Sequence, residues 1–380
     1  MKIGIIGLPN AGKSTVFNAL AQARVEVKKH PFTTIEPNVG MVRVPDPRLT
    51  RLAELFQPER LIPASIKFVD VAGLVEGASH GEGLGNQFLA ALRETTALAH
   101  VVRCFKDGSI AHLLGGLDPV RDIEVIRLEL LLADLATVEK RLEKIDRGRR
   151  ADPHKDEDAR EVLEVLKDIL ERGEDCRGTE LAGRVRLLLP DLPLLSLKPI
   201  LYVANTGETG AGEEAVGVAA LREKAREDGT KLIEFCGKLE AEIVSLPEED
   251  RGQFREAMEM GEAGLAKLTA AAKNALRLIT FFTKEGVEVR AWIIPEGTSA
   301  RRAAGSIHSD MEKGFIKAEV VSFPVLDTAG SMVEVRQKGQ LRIEGRDYPV
   351  QEGDVIRFLF KTWVKQVLYE STLPLIRRPG

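Results

Sequence analysis

Cysteine is almost missing from this chain, with only Cys104, Cys176 and Cys236 among 380 residues. Their odd number and wide spacing exclude a disulfide framework and a cysteine-based zinc site, and a buried, inert thiol is expected at each. Long apolar runs are missing too. No stretch approaches the roughly 18–20 consecutive apolar residues of a membrane helix. The opening Met1-Lys2-Ile3-Gly4-Ile5-Ile6-Gly7 has neither the apolar core nor the cleavage site of a signal peptide. A cytoplasmic protein without a membrane partner is expected. Neither sign of charge dominates: 54 basic residues face 58 acidic ones, a net charge of −4, so overall charge points to no nucleic acid, and DNA is not an expected partner. There is no internal repeat and no low-complexity tract. What is present, 44% hydrophobic and 29% charged residues, suffices for two or three ordinary globular domains.

Up to about residue 120, short apolar runs alternate with Gly-rich turns and amphipathic stretches. Lys2–Ile6, Ile66–Val69 and Val101–Phe105 read as buried strands of a parallel α/β sheet. From Leu128 the apolar residues fall at 128, 131, 135, 138, 142 and 145, alternating steps of three and four, which is a heptad seam. It stops at the polar break 147–158 and resumes through Val162, Leu166, Ile169 and Leu170, so an antiparallel helical coiled-coil hairpin is expected. The basic cluster Lys140, Arg141, Lys144, Arg147, Arg149 and Arg150 at its tip is the one patch suited to an RNA backbone. Strands return at Ile200–Ala204 and Lys231–Phe235, followed by a long Ala-rich helix to about Leu276. Beyond it, Leu278–Thr283, Val287–Ile294, Ala318–Ser322, Met332–Val335 and Val355–Phe360 read as strands around a helix at 299–307, a small α+β module. The expected division is 1–125 and 193–277 for the α/β domain, 126–192 for the inserted hairpin and 278–363 for the module.

Gly7-Leu8-Pro9-Asn10-Ala11-Gly12-Lys13-Ser14 fits G-x-x-x-x-G-K-[ST], after an apolar strand and before the helical stretch from Thr15. In such a loop the glycines let successive backbone N–H groups and the helix N-terminus wrap a phosphate. Lys13 would reach the β- and γ-phosphates and the Ser14 hydroxyl would ligate Mg²⁺. Asp70-Val71-Ala72-Gly73, closing a strand, places a second Mg²⁺-holding group at Asp70. Asp327-Thr328-Ala329-Gly330 has the same D-x-x-G form but follows every other nucleotide element and reads as a turn. The proline-bracketed loop Pro31-Phe32-Thr33-Thr34-Ile35-Glu36-Pro37 suits a nucleotide-sensing switch, with Thr34 completing the Mg²⁺ shell. Leu74 stands where related switches carry a water-orienting Gln, so hydrolysis should be slow, with His80 as a candidate to position water.

The guanine-reading N-K-x-D motif is absent. Its place after a strand holds Asn205-Thr206-Gly207-Glu208. Thr206 lacks the lysine stem that covers the base, and Glu208 is a methylene longer than the guanine-reading Asp. Guanine donors left unmatched cost about 1–3 kcal/mol, whereas backbone groups near Thr206 suit the adenine edge. With these four segments (G-L-P-N-A-G-K-S, P-F-T-T-I-E-P-N, D-V-A-G-L-V-E-G-A-S-H-G-E-G-L-G-N and N-T-G-E) the chain resembles the YchF/Obg-like ATPases, over nearly its whole length. The resemblance implies a G-domain-like P-loop NTPase with the helical insertion and a C-terminal ubiquitin-like β-grasp TGS domain. It implies an Mg²⁺-dependent ATPase that takes GTP more weakly. Phosphates would lie on Asn10, Ala11, Gly12, Lys13, Ser14 and Thr15, and the base at Asn205, Thr206 and Glu208. Asn10 suggests K⁺ as a further cofactor, and the ribosome, through its large subunit, is the implied partner. An Obg-type GTPase, or a ribosome-binding module gated by nucleotide with negligible hydrolysis of its own, is the alternative.

Overall fold

The computed structural model describes residues 1–22, 39–71, 84–107, 115–147, 153–208, 213–257 and 264–361. The chain forms β1 (Lys2–Ile6) and β2 (Val39–Arg43), leaves to supply β3 (Arg60–Ile62) to a second sheet, and returns with β4 (Ser65–Asp70). β5 (Ala97–Cys104), β6 (Ile200–Thr206) and β7 (Leu232–Phe235) then complete the first sheet in the order β2-β4-β1-β5-β6-β7. β4, β1, β5, β6 and β7 are parallel, while β2 is antiparallel to β4. All eight residues of β5 and the first six of β6 are buried. Strands covered on both faces need near-continuous apolar runs, which these segments supply apart from His100, Arg103 and Asn205. From β1 the chain moves to β4 on one side and later to β5 on the other. The C-terminal end of β1 is therefore a topological switch point, where α/β sheets hold ligands.

The stretch expected to form one helix up to Leu276 is three: Gly237–Ser245, Glu248–Ala257 and Gly264–Ala275. Pro247, which lacks an N–H and crowds the preceding turn, separates the first two.

The inserted hairpin is built from the helices Pro119–Arg147 and Pro153–Glu171, followed by a third, Glu180–Leu188. In the heptad seam Leu131 and Val138 are buried, with Leu135, Leu142 and Ile145 partly so, against Val162, Leu166 and Leu170. Leu128 departs from the seam and is 46% exposed. The reason lies in the first half of the same helix. Ile123, Ile126, Leu130 and Ala133 pack with Leu98, Val102 and Tyr202 of the sheet, so this helix serves two cores and runs unbroken across residues 125 and 126.

Asp134 fastens the return of the chain to that helix. Its fully buried carboxylate accepts hydrogen bonds from the backbone N–H groups of Leu195 (2.8 Å) and Ser196 (2.7 Å) and from the Ser196 hydroxyl (2.7 Å). Burial pushes its carboxyl pKa up, and these three donors oppose that shift. Asp134→Ala strands two buried backbone donors, and a loss of about 3 kcal/mol is expected. Urea unfolding of the variant, read as a lowered midpoint at unchanged slope, measures it; a loss below about 1 kcal/mol would show that water replaces the carboxylate.

The second unit comprises Pro45–Ala64 and the chain from Arg277 onward. To β3 it adds β8 (Leu278–Glu285), β9 (Glu288–Pro295), β10 (Phe315–Ser322), β11 (Arg342–Glu344) and β12 (Asp354–Phe360), in the order β11-β10-β12-β8-β9-β3. Ala300, Ala303 and Ala304 of the helix Ala300–Ile307 lie in a core with Phe281, Val320 and Phe358.

Residues 45–64 correct the assignment of 1–125 to the α/β domain. β3 pairs in parallel with β9, from Arg60↔Glu288 to Ile62↔Arg290. The helix Pro47–Phe56 buries Leu49 and Leu52 within this unit. Arg48 bonds both Asp46 and Glu352 and lies 5.3 Å from the centroid of the Phe282 ring, and Arg51 Nε donates to Asp327 at 2.6 Å.

Two further segments differ from expectation. Met332–Val335 is not a strand but the start of a helix, Met332–Gln337. Ser331 Oγ accepts from the Glu334 N–H, and Ser-x-x-Glu is a capping-box spacing that outweighs the β preference of the valines. Asp327-Thr328-Ala329-Gly330 is the end of a helix, Phe323–Ala329, closed by Gly330 at φ 74°.

Candidate functional site

The loop between β1 and the helix Lys13–Gln22 owes its shape to two glycines. At Gly7 (φ 147°) a Cβ would stand 2.2 Å from the Val101 carbonyl oxygen, and at Gly12 (φ 88°) it would stand 2.0 Å from Asn205 Nδ2. Both positions therefore exclude any side chain. Asn10 is left-handed at φ 64°, a conformation that asparagine tolerates better than most residues. Ala11 is buried, while Asn10 and the first-turn residues Ser14 and Thr15 are exposed.

Lys13 points into the loop. Its buried ammonium donates to the carbonyl oxygens of Gly7 (2.9 Å) and Leu8 (2.8 Å). Asp70 ends β4 beside Ile5 of β1. Burial pushes the Lys13 pKa down and the Asp70 pKa up, and each charge partly offsets the other's shift. A lysine and a carboxylate that sense one another at the mouth of a loop of N–H donors match what a polyphosphate and its metal require.

At the end of β6, Asn205 joins two loops. Its Nδ2 donates to the Ala11 carbonyl (3.0 Å) and its Oδ1 accepts from the Gly237 N–H (3.0 Å). Thr206 is half-buried at the end of β6. The exposed Glu208 is ion-paired with Lys238 at 2.5 Å.

Two contributors escape sequence reasoning. Gly237, at the start of the helix after β7, sits so close to Asn205 Oδ1 and Thr15 that a Cβ would stand 3.1 and 3.4 Å from them. Phe105 follows β5, with its ring edge 3.8 Å from the space a Gly12 Cβ would fill. The Arg103 guanidinium lies 4.7 Å from the Phe105 ring centroid, and its Nε donates to the Phe105 carbonyl. A strand running into Gly and a helix was a signal for Gly237; a lone aromatic after β5 was none.

Thr34 and His80, with Gly73 and Leu74, lie outside the described residues. Of the basic cluster at the hairpin tip, Arg141 pairs with Asp191 and Arg147 with Glu143, while Arg149 and Arg150 are also outside the described residues. Among the described residues no helix is long and apolar enough to cross a membrane.

A phosphate loop at the switch point, a buried lysine and a strand-end carboxylate beside it define a P-loop nucleotide-binding domain of the GTPase class. Residues 2–141 match the family described as a 50S ribosome-binding GTPase, and residues 278–361 match YchF-GTPase_C, a family described as a protein of unknown function. The chain is 45% identical over 362 residues to the protein named ribosome-binding ATPase YchF of Bacillus subtilis (strain 168), covering 94% of this chain and 98% of that one. It is equally 45% identical to the protein of the same name from Escherichia coli O157:H7, at 94% and 99% coverage. The solved structure of the Schizosaccharomyces pombe YchF GTPase superposes with a TM-score of 0.82 at 32% identity, over 94% of this chain and 97% of that one. The chain belongs to the YchF family.

Proposed function

We propose that this chain binds Mg²⁺-ATP, hydrolyses it slowly, and acts in the cytoplasm as a nucleotide-dependent switch on the large ribosomal subunit. The observation that carries the nucleotide choice is the ion pair of Glu208 with Lys238. The carboxylate nearest in sequence to a guanine-reading Asp is engaged with a lysine, and Thr206 has no stem to lay over a ring. Asn205 spends one amide N–H and its oxygen on the two loops, which fixes the strand-end backbone that would meet an adenine edge. The Phe105 ring, backed by Arg103, offers a π-face at the same end.

The donor set suits a hard cation: the exposed Ser14 hydroxyl and the Asp70 carboxylate are oxygen ligands of the kind Mg²⁺ takes alongside phosphate. Thr34 is the third expected protein ligand, Asn10 the residue suited to K⁺, and His80 the candidate for positioning water. When bound, Mg²⁺ offsets charge on the phosphates. Lys13 would exchange its two loop carbonyls for phosphate oxygens, and the loop N–H groups would hold the rest. The ribosome as partner rests on the names of the relatives and of the family matched by residues 2–141.

Titration with fluorescent ATP and GTP analogues, with and without K⁺, tests this reading. ATP should bind at least about tenfold more tightly, the equivalent of one unmatched guanine donor. Tighter GTP binding would make the chain a GTPase whose guanine reader lies elsewhere.

A further inference from the structure

Glu240 lies one turn into the helix Gly237–Ser245, directly after β7, and is 2% exposed. Its carboxylate holds three donors from two further helices. Arg255 Nη1 and Nη2, in Glu248–Ala257, donate to one oxygen each at 3.2 and 2.6 Å. The N–H of Gly264, the first residue of Gly264–Ala275, donates to Oε1 at 2.7 Å. The fit is close: a Cβ on Gly264 would stand 2.7 Å from Oε1 and 2.9 Å from the ring of Phe235, the last residue of β7. Stability alone is a poor reason for a charge here. Desolvating the carboxylate and the guanidinium roughly cancels their attraction, and apolar residues of similar volume often serve as well. The bidentate pair adds direction, fixing how the helix is turned more sharply than the packing of Leu239, Ile243 and Val244 can.

The helix so fixed begins at the nucleotide loops. The Glu240 N–H donates to the Cys236 carbonyl at 2.9 Å, closing the first turn around Gly237. The Gly237 N–H donates to Asn205 Oδ1, and Asn205 Nδ2 in turn donates to the Ala11 carbonyl of the phosphate loop, each at 3.0 Å. Gly237 also stands so near Thr15 and Val16 of the phosphate helix that a Cβ would lie 3.4 and 3.5 Å from their side chains. A shift or rotation of this helix therefore moves the partner of Asn205. We propose, on the nucleotide-site reading given above, that Glu240 is a positioning residue for nucleotide binding. Anchored by Arg255 and Gly264, it sets the place of the Gly237 N–H and, through Asn205, of the phosphate loop.

Glu240→Gln keeps the size of the side chain and an acceptor for the Gly264 N–H while removing the charge that holds Arg255. The full chain is titrated with fluorescent ATP and GTP analogues, each variant below its own unfolding midpoint. Affinity for the preferred nucleotide should fall about tenfold, less than the about 10²-fold of a displacement of about 1 Å, because apolar packing still holds the helix. Arg255→Gln, which cuts the same pair from its other side, should give a loss of similar size. The separating readout is the combination with Asn205. If Glu240 acts through that amide, adding Glu240→Gln to Asn205→Ala should change affinity by less than about threefold, whereas unrelated losses multiply to about 10³-fold in all. Unchanged affinity in both single variants overturns the proposal. Losses that multiply in the double variant overturn it too, and leave Glu240 a residue of general stability. A parent chain that binds GTP more tightly overturns the ATP reading alone, with Glu240 then judged on GTP; a parent that binds neither nucleotide overturns both.

Discussion

Lys13→Ala should lower kcat/KM for Mg²⁺-ATP by at least about 10²–10³, the range found when one preorganised donor is taken from a developing negative charge. The structure gives two reasons to expect the upper part of that range. The ammonium sits inside the loop it serves, on the Gly7 and Leu8 carbonyls, so its removal unties the loop as well as deleting a charge. It is also the basic partner that restrains the upward shift of Asp70, so the variant raises the Asp70 pKa further and weakens the carboxylate as a metal ligand. Steady-state turnover measured at saturating Mg²⁺ separates the two contributions, because extra Mg²⁺ should recover part of the second and none of the first. Turnover within tenfold of the parent would remove Lys13 from the chemistry.

The second large effect is expected at a residue that need not touch the phosphates. Asn205→Ala deletes both amide bonds that link the phosphate loop, at Ala11, to the helix start at Gly237. A buried N–H and a carbonyl lose their partners, at about 2–3 kcal/mol of stability. Affinity for ATP should fall by about 10²-fold, since a misplacement of about 1 Å in a positioning element costs that much. Asn205→Asp is the informative companion. It keeps an acceptor for the Gly237 N–H but sets a carboxylate oxygen against the Ala11 carbonyl, so it should bind ATP as poorly as the alanine variant. Thr206→Ala, by contrast, should change affinity less than either. Equilibrium titration together with urea unfolding reads both quantities; an Asn205→Ala protein that binds ATP normally would show that the two loops hold their places without the amide.

How much of this was legible in the sequence depends on the range of the forces involved. The phosphate loop was readable because its backbone shape is local to eight residues: Gly7 at φ 147° and Gly12 at φ 88° hold angles that side-chain-bearing residues rarely adopt, although the close approaches of Val101 and Asn205 to them come from far along the chain. β6 and the second half of β5 were readable because burial on both faces leaves an apolar run, although β5 begins at Ala97, four residues before the expected Val101, and the hairpin was readable because its seam repeats. Asp134 gave no sign, since an acidic residue in an amphipathic helix is ordinarily a solvated one, and its partners lie about sixty residues away in sequence. Met332–Val335 shows a local signal read with the wrong weight: the valines argued for a strand, and Ser331 with Glu334 for a helix. Residues 45–64 were misassigned for a different reason. A ten-residue amphipathic helix and a three-residue strand carry nothing that says which of two sheets they will join, because that choice is made by β9, more than two hundred residues downstream.

That downstream partner has a bearing on how the chain is made. Arg60 meets Glu288, a separation of 228 residues (288 minus 60), and at synthesis rates of roughly 5–20 residues per second the early segment waits roughly 10–45 s for its mate. Its two ends are already side by side, because Arg43 faces Ser65 in the β2–β4 ladder, so the first sheet can close while the loop it carries is still unmatched. Leu49 and Leu52 stay without their final cover until the last quarter of the chain has left the ribosome. A truncated product would therefore display an unsheltered helix and strand from its own N-terminal quarter.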